Sequence, residues 1–158
     1  MHEKHEKTNA MRQLDRKKAA YTVHSYDGGA LSGTEVAAAL GKDPERCLKT
    51  LVTVGKTGGY YVFMIPVAAE LDLRKAASAA GEKSVAMLPQ KELLPLTGYI
   101  HGGCSPIGMK KQFPTFIDET AQLYDEIGVS AGCRGCQVLL DPMQLTDYVN
   151  ATLCDLTE

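Results

Sequence analysis

No apolar run in this chain approaches the roughly 20 residues that a membrane-spanning helix needs. The opening stretch, MHEKHEKTNAMRQLDRKK, has no apolar h-region, so it does not read as a secretory signal. The expected location is therefore the cytoplasm, with no membrane partner. Excess positive charge is missing as well: 17 Lys and Arg face 19 Asp and Glu, for a net charge of −2. Domains that grip nucleic acid by bulk electrostatics are usually strongly basic, so DNA is not an expected partner. Contact with RNA through a local basic rim stays open. Paired cysteines are lacking too. Cys47, Cys104, Cys133, Cys136 and Cys154 make an odd number, and without an export signal a disulfide framework is not expected. Cys47 and Cys154 sit among apolar neighbours and read as small core hydrophobes.

Nucleotide-binding signatures are also absent. No GxGxxG occurs. Gly103-x-x-x-x-Gly108 has the spacing of a P-loop, but Met109 stands where the lysine belongs, and no Ser or Thr follows for magnesium. No Ser/His/Asp arrangement or pair of carboxylates stands out. The chain has polarising groups without an evident nucleophile or base.

What is present suits one domain: 158 residues, 44% hydrophobic and 23% charged. Residues 1–7 read as a charged lead-in and residues 8–158 as the domain. Thr8 can cap a helix running to about Lys18, with Met11 and Leu14 facing inward. YTVHSY (21–26) alternates like a strand. Ser32-Gly-Thr-Glu35 reads as a capping box opening the helix TEVAAAL, closed by Gly41. Asp43-Pro44 can start a further helical turn. KTLVTVG, KTGG and YYVFMIPV (49–67) spell a hairpin. Asp72 caps LRKAASAAG, which Gly81 closes. SVAML (84–88) is a strand, and Pro89 sits at the first turn of a helix through Leu94. PTFID, EIGVS and QVLLD are further strands, and ETAQLYDE is a short helix. A last helix starts at Asp141-Pro142, and TLCDL closes the chain as a strand. Strands joined by hairpins and mixed with helices imply an α+β fold with a mixed sheet.

Two loops and a lysine stand out. GYIHGGCSPIGMKK (98–111) carries four glycines. Glycine lets backbone N–H groups approach a ligand closely and cluster into an anion-binding nest, suited to a phosphate or a developing oxyanion. The second loop, VSAGCRG (129–135), offers Ser130, two glycines and Arg134 between two strands. Lys49 opens an apolar strand, where a dry stem can carry its ammonium to the sheet rim. Lys49, Ser130, Arg134 and the amides near Gly102 and Gly103 could share one donor-rich pocket; the plainer alternative is two turns and a solvated lysine. Cys133-Arg-Gly-Cys136, with Cys104 and His101, raises zinc or redox chemistry, but a lone CxxC that enters a strand is a weak signal. His24 reads as structural and His101 as exposed. No metal and no cofactor are expected.

At KTL (49–51), VFMIPV followed by ELDLRKAA, TGYIHGGCSPIGMKK and VSAGCRG, in this order and across nearly the whole chain, the sequence resembles the YbaK/EbsC family. These are bacterial Cys-tRNA(Pro) deacylases related to the editing domain of bacterial prolyl-tRNA synthetases. The resemblance implies a compact α+β domain with a curved mixed sheet. It also implies hydrolysis in trans of a wrong amino acid from tRNA(Pro), near the acceptor end and beside prolyl-tRNA synthetase. It carries the family's essential lysine onto Lys49, with Thr50 beside it. A first-strand tyrosine falls on Tyr26, the loop glycines on Gly102 and Gly103, and the serine of VSxG on Ser130. Lys110 and Lys111, just past the glycine loop, can touch phosphates near the tRNA acceptor end, with Arg134, read as substrate-binding, able to help; the plainer alternative for the two lysines is a solvated pair. The family more often has lysine where Cys133 stands. The related alanine-specific deacylases have another glycine-loop pattern, which favours cysteine as the residue removed. The alternatives are a deacylase for Ala or Ser and a non-catalytic binder of tRNA ends.

Overall fold

The computed structural model describes residues 7–25, 35, 37, 38, 41 and 43–158. Tyr26, most of the Ser32–Glu35 box and much of the helix expected after it lie outside the described residues.

Helix α1 (Asn9–Arg16) starts where Thr8 accepts a hydrogen bond from the Met11 N–H, and it buries Ala10, Met11 and Leu14. Strand β1 (Tyr21–Ser25) follows, and later a 3₁₀ turn (Pro44–Arg46) capped by Asp43. Strands β2 (Leu48–Gly55) and β3 (Tyr60–Pro66) form the expected hairpin, turned at Gly58, whose φ is 92°. Asp72 caps α2 (Leu73–Ala80) through the amides of Arg74 and Lys75, and Gly81 ends it in the left-handed region. After β4 (Val85–Met87) comes α3 (Gln90–Thr97).

Two helices depart from the sequence reading. Pro89 precedes α3 as its N-cap, and the helix runs past Leu94, through Pro95, to Thr97. Proline inside a helix removes one backbone donor and crowds the preceding turn. Here Leu93 and Leu96 pack beside Val52, Val62 and Tyr99, and the Thr97 hydroxyl donates to the Leu93 carbonyl at 2.8 Å. That packing carries the helix past the proline. ETAQLYDE forms only a five-residue 3₁₀ helix (Glu119–Leu123), because Asp118 fixes its start and Tyr124 is already extended.

Strands β5 (Thr115–Asp118), β6 (Ile127–Ser130), β7 (Cys136–Leu140) and β8 (Thr152–Cys154), with α4 (Pro142–Tyr148), complete the described elements. Strands β1, β7 and β6 form an antiparallel sheet in that order; β4, β2, β3, β5 and β8 form a second, in which β3–β5 and β5–β8 pair parallel. A parallel bridge between Cys47 and Gly128 joins the two. One core holds α1, α4 and the β6–β7 hairpin around Leu48, Met64 and Ile107. A second, around Phe63 and Ile65, is covered by α2 and Leu156. The Cys47–Gly128 junction sets the start of β2 against β6, near the tip of the β6–β7 hairpin.

Candidate active site

The long glycine loop leaves α3 at Gly98, whose φ of 87° turns the chain away from the helix axis. Tyr99 is buried beneath the loop, and its hydroxyl donates to the Ile107 carbonyl at 2.6 Å. The Gly103 N–H donates to the Ile100 carbonyl at 3.0 Å, closing a tight turn. That bond uses the Gly103 amide internally. The Gly102 and Cys104 amides have no partner among the described residues.

The two loops meet. Arg134 Nε donates to the His101 carbonyl at 3.0 Å. A side chain on Gly103 would come within 3.0 Å of the Cys133 and Arg134 backbone. Glycine is thus required at 103 by close approach of two main chains, and at 102 also by a φ of 85°. In the hairpin loop, the Ser130 hydroxyl accepts from the Gly132 N–H at 3.1 Å.

Lys49 lies in β2, half-buried and paired with Ile65, and it has no carboxylate partner among the described residues. Strands β2 and β6 run parallel from the Cys47–Gly128 bridge, so Lys49 and Ser130, two residues further on, face the same way. Gln137, opposite Ser130 in β7, joins this row. Thr50 does not. Alternation along β2 turns it to the other face with Leu48 and Val52, toward the cores that include Ile107, Tyr99 and Cys104. Tyr26 lies outside the described residues.

Lys110 and Lys111 are exposed. The Lys110 ammonium donates to the Pro95 carbonyl at 3.4 Å, and that of Lys111 stands 6.0 Å from the centre of the Phe113 ring. Both contacts are weak and leave the charges available to solvent.

The hydroxyl and thiol within the glycine loop are not available as nucleophiles. Ser105 is fully buried, and its oxygen accepts from the Ile107 N–H at 3.3 Å. Cys104 is 7% exposed, and burial pushes its thiol up to about 12, against a smaller opposing effect from Thr97. Burial also pushes the Cys133 thiol up, and Cys136 adds to this. The thiolate is the reactive form, so such thiols are poor nucleophiles. Among the described residues no three His, Cys, Asp or Glu side chains gather as metal ligands.

One residue escaped the sequence reading. Gln137 is 6% exposed, and its Oε1 has no hydrogen-bond partner among the described residues. The oxygen lies above Gly128, where a side chain would be 2.8 Å from it. The signal was present: a glutamine in the otherwise apolar strand CQVLL. The Thr50 hydroxyl is likewise buried without a partner among the described residues. Buried polar atoms in folded proteins are nearly always satisfied, so these two atoms, one in β2 and one in β7, stand out as exceptions.

The model of the aminoacyl-tRNA editing domain family matches residues 29–148, which include the glycine loop and the serine- and arginine-bearing hairpin, and the chain belongs to that family. Its members hydrolyse the ester linking an amino acid to tRNA, so the chain is of the aminoacyl-tRNA deacylase class. The chain is 48% identical, over 96% of its length and 94% of the relative's, to EbsC of Enterococcus faecalis, named provisionally as a Cys-tRNA(Pro)/Cys-tRNA(Cys) deacylase. Among solved structures, it matches a protein described, again provisionally, as a trans-editing enzyme for prolyl-tRNA synthetase. That match has a TM-score of 0.85 and 26% identity over 95% of both chains. A hypothetical protein, APE2540, shares the fold at a TM-score of 0.88 and 21% identity, covering 96% of this chain and all of that one.

Proposed function

We propose that this chain removes cysteine mischarged onto tRNA(Pro), acting in trans in the cytoplasm beside prolyl-tRNA synthetase. The observation that carries the reading is the seam between the two loops. Its Gly102 and Cys104 amides have no partner among the described residues, while the loop's own thiol and hydroxyl are buried. Among the described residues the glycine loop thus offers donors and positioning but no available nucleophile of its own. A cysteinyl ester needs none.

The substrate's thiol, losing its proton, attacks the ester carbonyl carbon; a C–S bond forms and negative charge gathers on the carbonyl oxygen. The Gly102 and Cys104 amides face that charge, in the manner of an oxyanion hole. The C–O bond to the ribose then breaks, the ribose oxygen takes the proton the thiol released, and water opens the C–S bond of the cyclic thioester so formed, giving free cysteine. Gly103 contributes the turn that aims these amides, its own N–H being engaged by Ile100. Lys49, Ser130 and Gln137, facing one way across β2, β6 and β7, hold the aminoacyl end and its terminal phosphate. Thr50 takes part from the loop-facing side, where its hydroxyl lacks a partner among the described residues. A synthetase excludes a slightly smaller amino acid by only about 1–3 kcal/mol per methylene, which is why a second hydrolytic pocket is useful.

Lys110, Lys111 and Arg134 supply few phosphate contacts, so intrinsic affinity for tRNA is low and the synthetase supplies tRNA selection. The test is a deacylation panel of Cys-, Ala-, Ser- and Pro-tRNA, with and without prolyl-tRNA synthetase. Cys-tRNA(Pro) is expected to be cleared fastest, with a further gain when the synthetase is present. A preference for Ala or Ser, or tRNA binding with no hydrolysis, overturns the reading.

A further inference from the structure

We infer that Thr8 and Asn9, at the start of α1, act as a clip that fixes the two site loops relative to each other, and that Asn9 is a positioning residue for the reaction. The inference rests on the deacylase reading above. Neither residue lies in the span matched by the family model, which begins at residue 29.

Each residue reaches a different loop. The Thr8 hydroxyl donates to the Ala131 carbonyl, next to Ser130, while also accepting from the Met11 N–H as the cap of α1. Asn9 Nδ2 donates to the Gly108 carbonyl in the glycine loop at 2.6 Å. The fit around these bonds is close. A side chain on Gly108 would lie 3.0 Å from Asn9 Nδ2 and 2.9 Å from the Tyr99 hydroxyl. One on Gly132 would lie 2.9 Å from the Tyr99 ring and 3.3 Å from Thr8 Cβ. Both glycines have positive φ, 79° and 102°. The first turn of α1 and the Tyr99 ring thus form a wedge between the loops, bonded to a carbonyl on each side. Arg134 and His101 close the seam at another point. Removing the wedge leaves the Gly102 amide attached to a glycine-rich loop with one cross-link fewer, and small misplacements of catalytic groups cost rate steeply.

Asn9→Asp separates positioning from stability because it acts on them in opposite directions. A carboxylate at the first residue of a helix favours the helix through its dipole. The same carboxylate faces the Gly108 carbonyl oxygen and cannot donate to it. The expected result is a melting temperature unchanged or raised, KM for Cys-tRNA(Pro) within twofold, and kcat lower by about tenfold or more. Amide exchange in residues 102–109 should quicken. Thr8→Val should slow turnover, while Thr8→Ser, which keeps both bonds, should restore it. Three results each overturn the clip: Asn9→Asp with wild-type kcat, losses that follow melting temperature across Asn9→Ala, Asn9→Asp and Thr8→Val, or unchanged amide exchange in both loops. Wild-type protein that fails to hydrolyse Cys-tRNA(Pro) defeats the deacylase reading instead, and the exchange measurement then decides the clip by itself.

Discussion

Arg134 lies across Gly102: its Nε donates to the His101 carbonyl at 3.0 Å, and the same atom would be 3.2 Å from any side chain placed on that glycine. The guanidinium therefore braces the glycine loop that the proposed reaction uses. Arg134→Ala should lower kcat/KM for Cys-tRNA(Pro) about tenfold, equivalent to about 1.4 kcal/mol. Arg134→Lys keeps the charge without the planar fork, so it should recover only a minor part. Steady-state kinetics on both variants checks this, and full recovery by lysine would reduce the contact to electrostatics.

Lys49 combines partial burial with no carboxylate partner among the described residues. A charge-assisted hydrogen bond to substrate contributes roughly 1.5–3 kcal/mol. Lys49→Ala should thus cut kcat/KM about 10- to 100-fold, with the melting curve little changed. Single-turnover deacylation is the measurement. A wild-type rate would remove Lys49 from the mechanism.

The orphan acceptor on Gln137 gives a prediction with opposed signs. Gln137→Met keeps most of the volume and removes an unpaired buried oxygen, so stability should hold or rise by about 1 kcal/mol. Substrate binding should weaken, with KM up about fivefold or more. Denaturant titration and kinetics on one preparation read both.

Gly103 has no room for a methyl group, because backbone atoms of Cys133 and Arg134 stand at 3.0 Å from where it would lie. Backbone cannot yield as the end of a side chain can. Gly103→Ala should cost about 1–3 kcal/mol of stability, as overpacking does, and should separate the loops. A urea titration shows the first effect; loss of deacylation without loss of far-ultraviolet circular dichroism shows the second.

Alkaline pH should act on one thiol and two phenols, Cys104 and Tyr99 at the glycine loop and Tyr21 in β1. Burial pushes Cys104 from 9.0, and Tyr99 and Tyr21 from 10.0, each up to about 12. For all three the folded chain holds its proton more tightly than the unfolded chain. Their contribution is fully present below about pH 9 and declines as pH rises toward 12, since unfolding then releases protons. Stability followed from pH 8 to 11 should fall with increasing slope. Cys104 should react with iodoacetamide far more slowly in the native protein than after unfolding.

Much of the scaffold could be read from local chemistry. The Thr8, Asp72 and Asp141 caps, the Gly81 stop and the β2–β3 hairpin all follow from a few adjacent residues, and all stand as expected. Pro95 did not follow, because Leu93 and Leu96 are held by residues distant in sequence. The contact between the Gly102 and Arg134 loops was open to suspicion from composition but could be decided only by topology. Alternation along β2, which parts Thr50 from Lys49, was already written in the strand pattern and went unused. The engagement of the Gly103 amide by Ile100 had no sequence signal, since any glycine loop has several ways to spend its donors.

The meeting of the two loops depends on a handful of hydrogen bonds between segments in which Gly98, Gly102, Gly108, Gly132 and Gly135 all adopt positive φ. Glycine carries the greatest conformational freedom to be lost on ordering, while the sheets beneath are held by continuous ladders and apolar packing. Warming should therefore loosen the seam before it melts the framework. Editing should then fade while the protein still looks folded, so that proofreading is lost ahead of the proofreader.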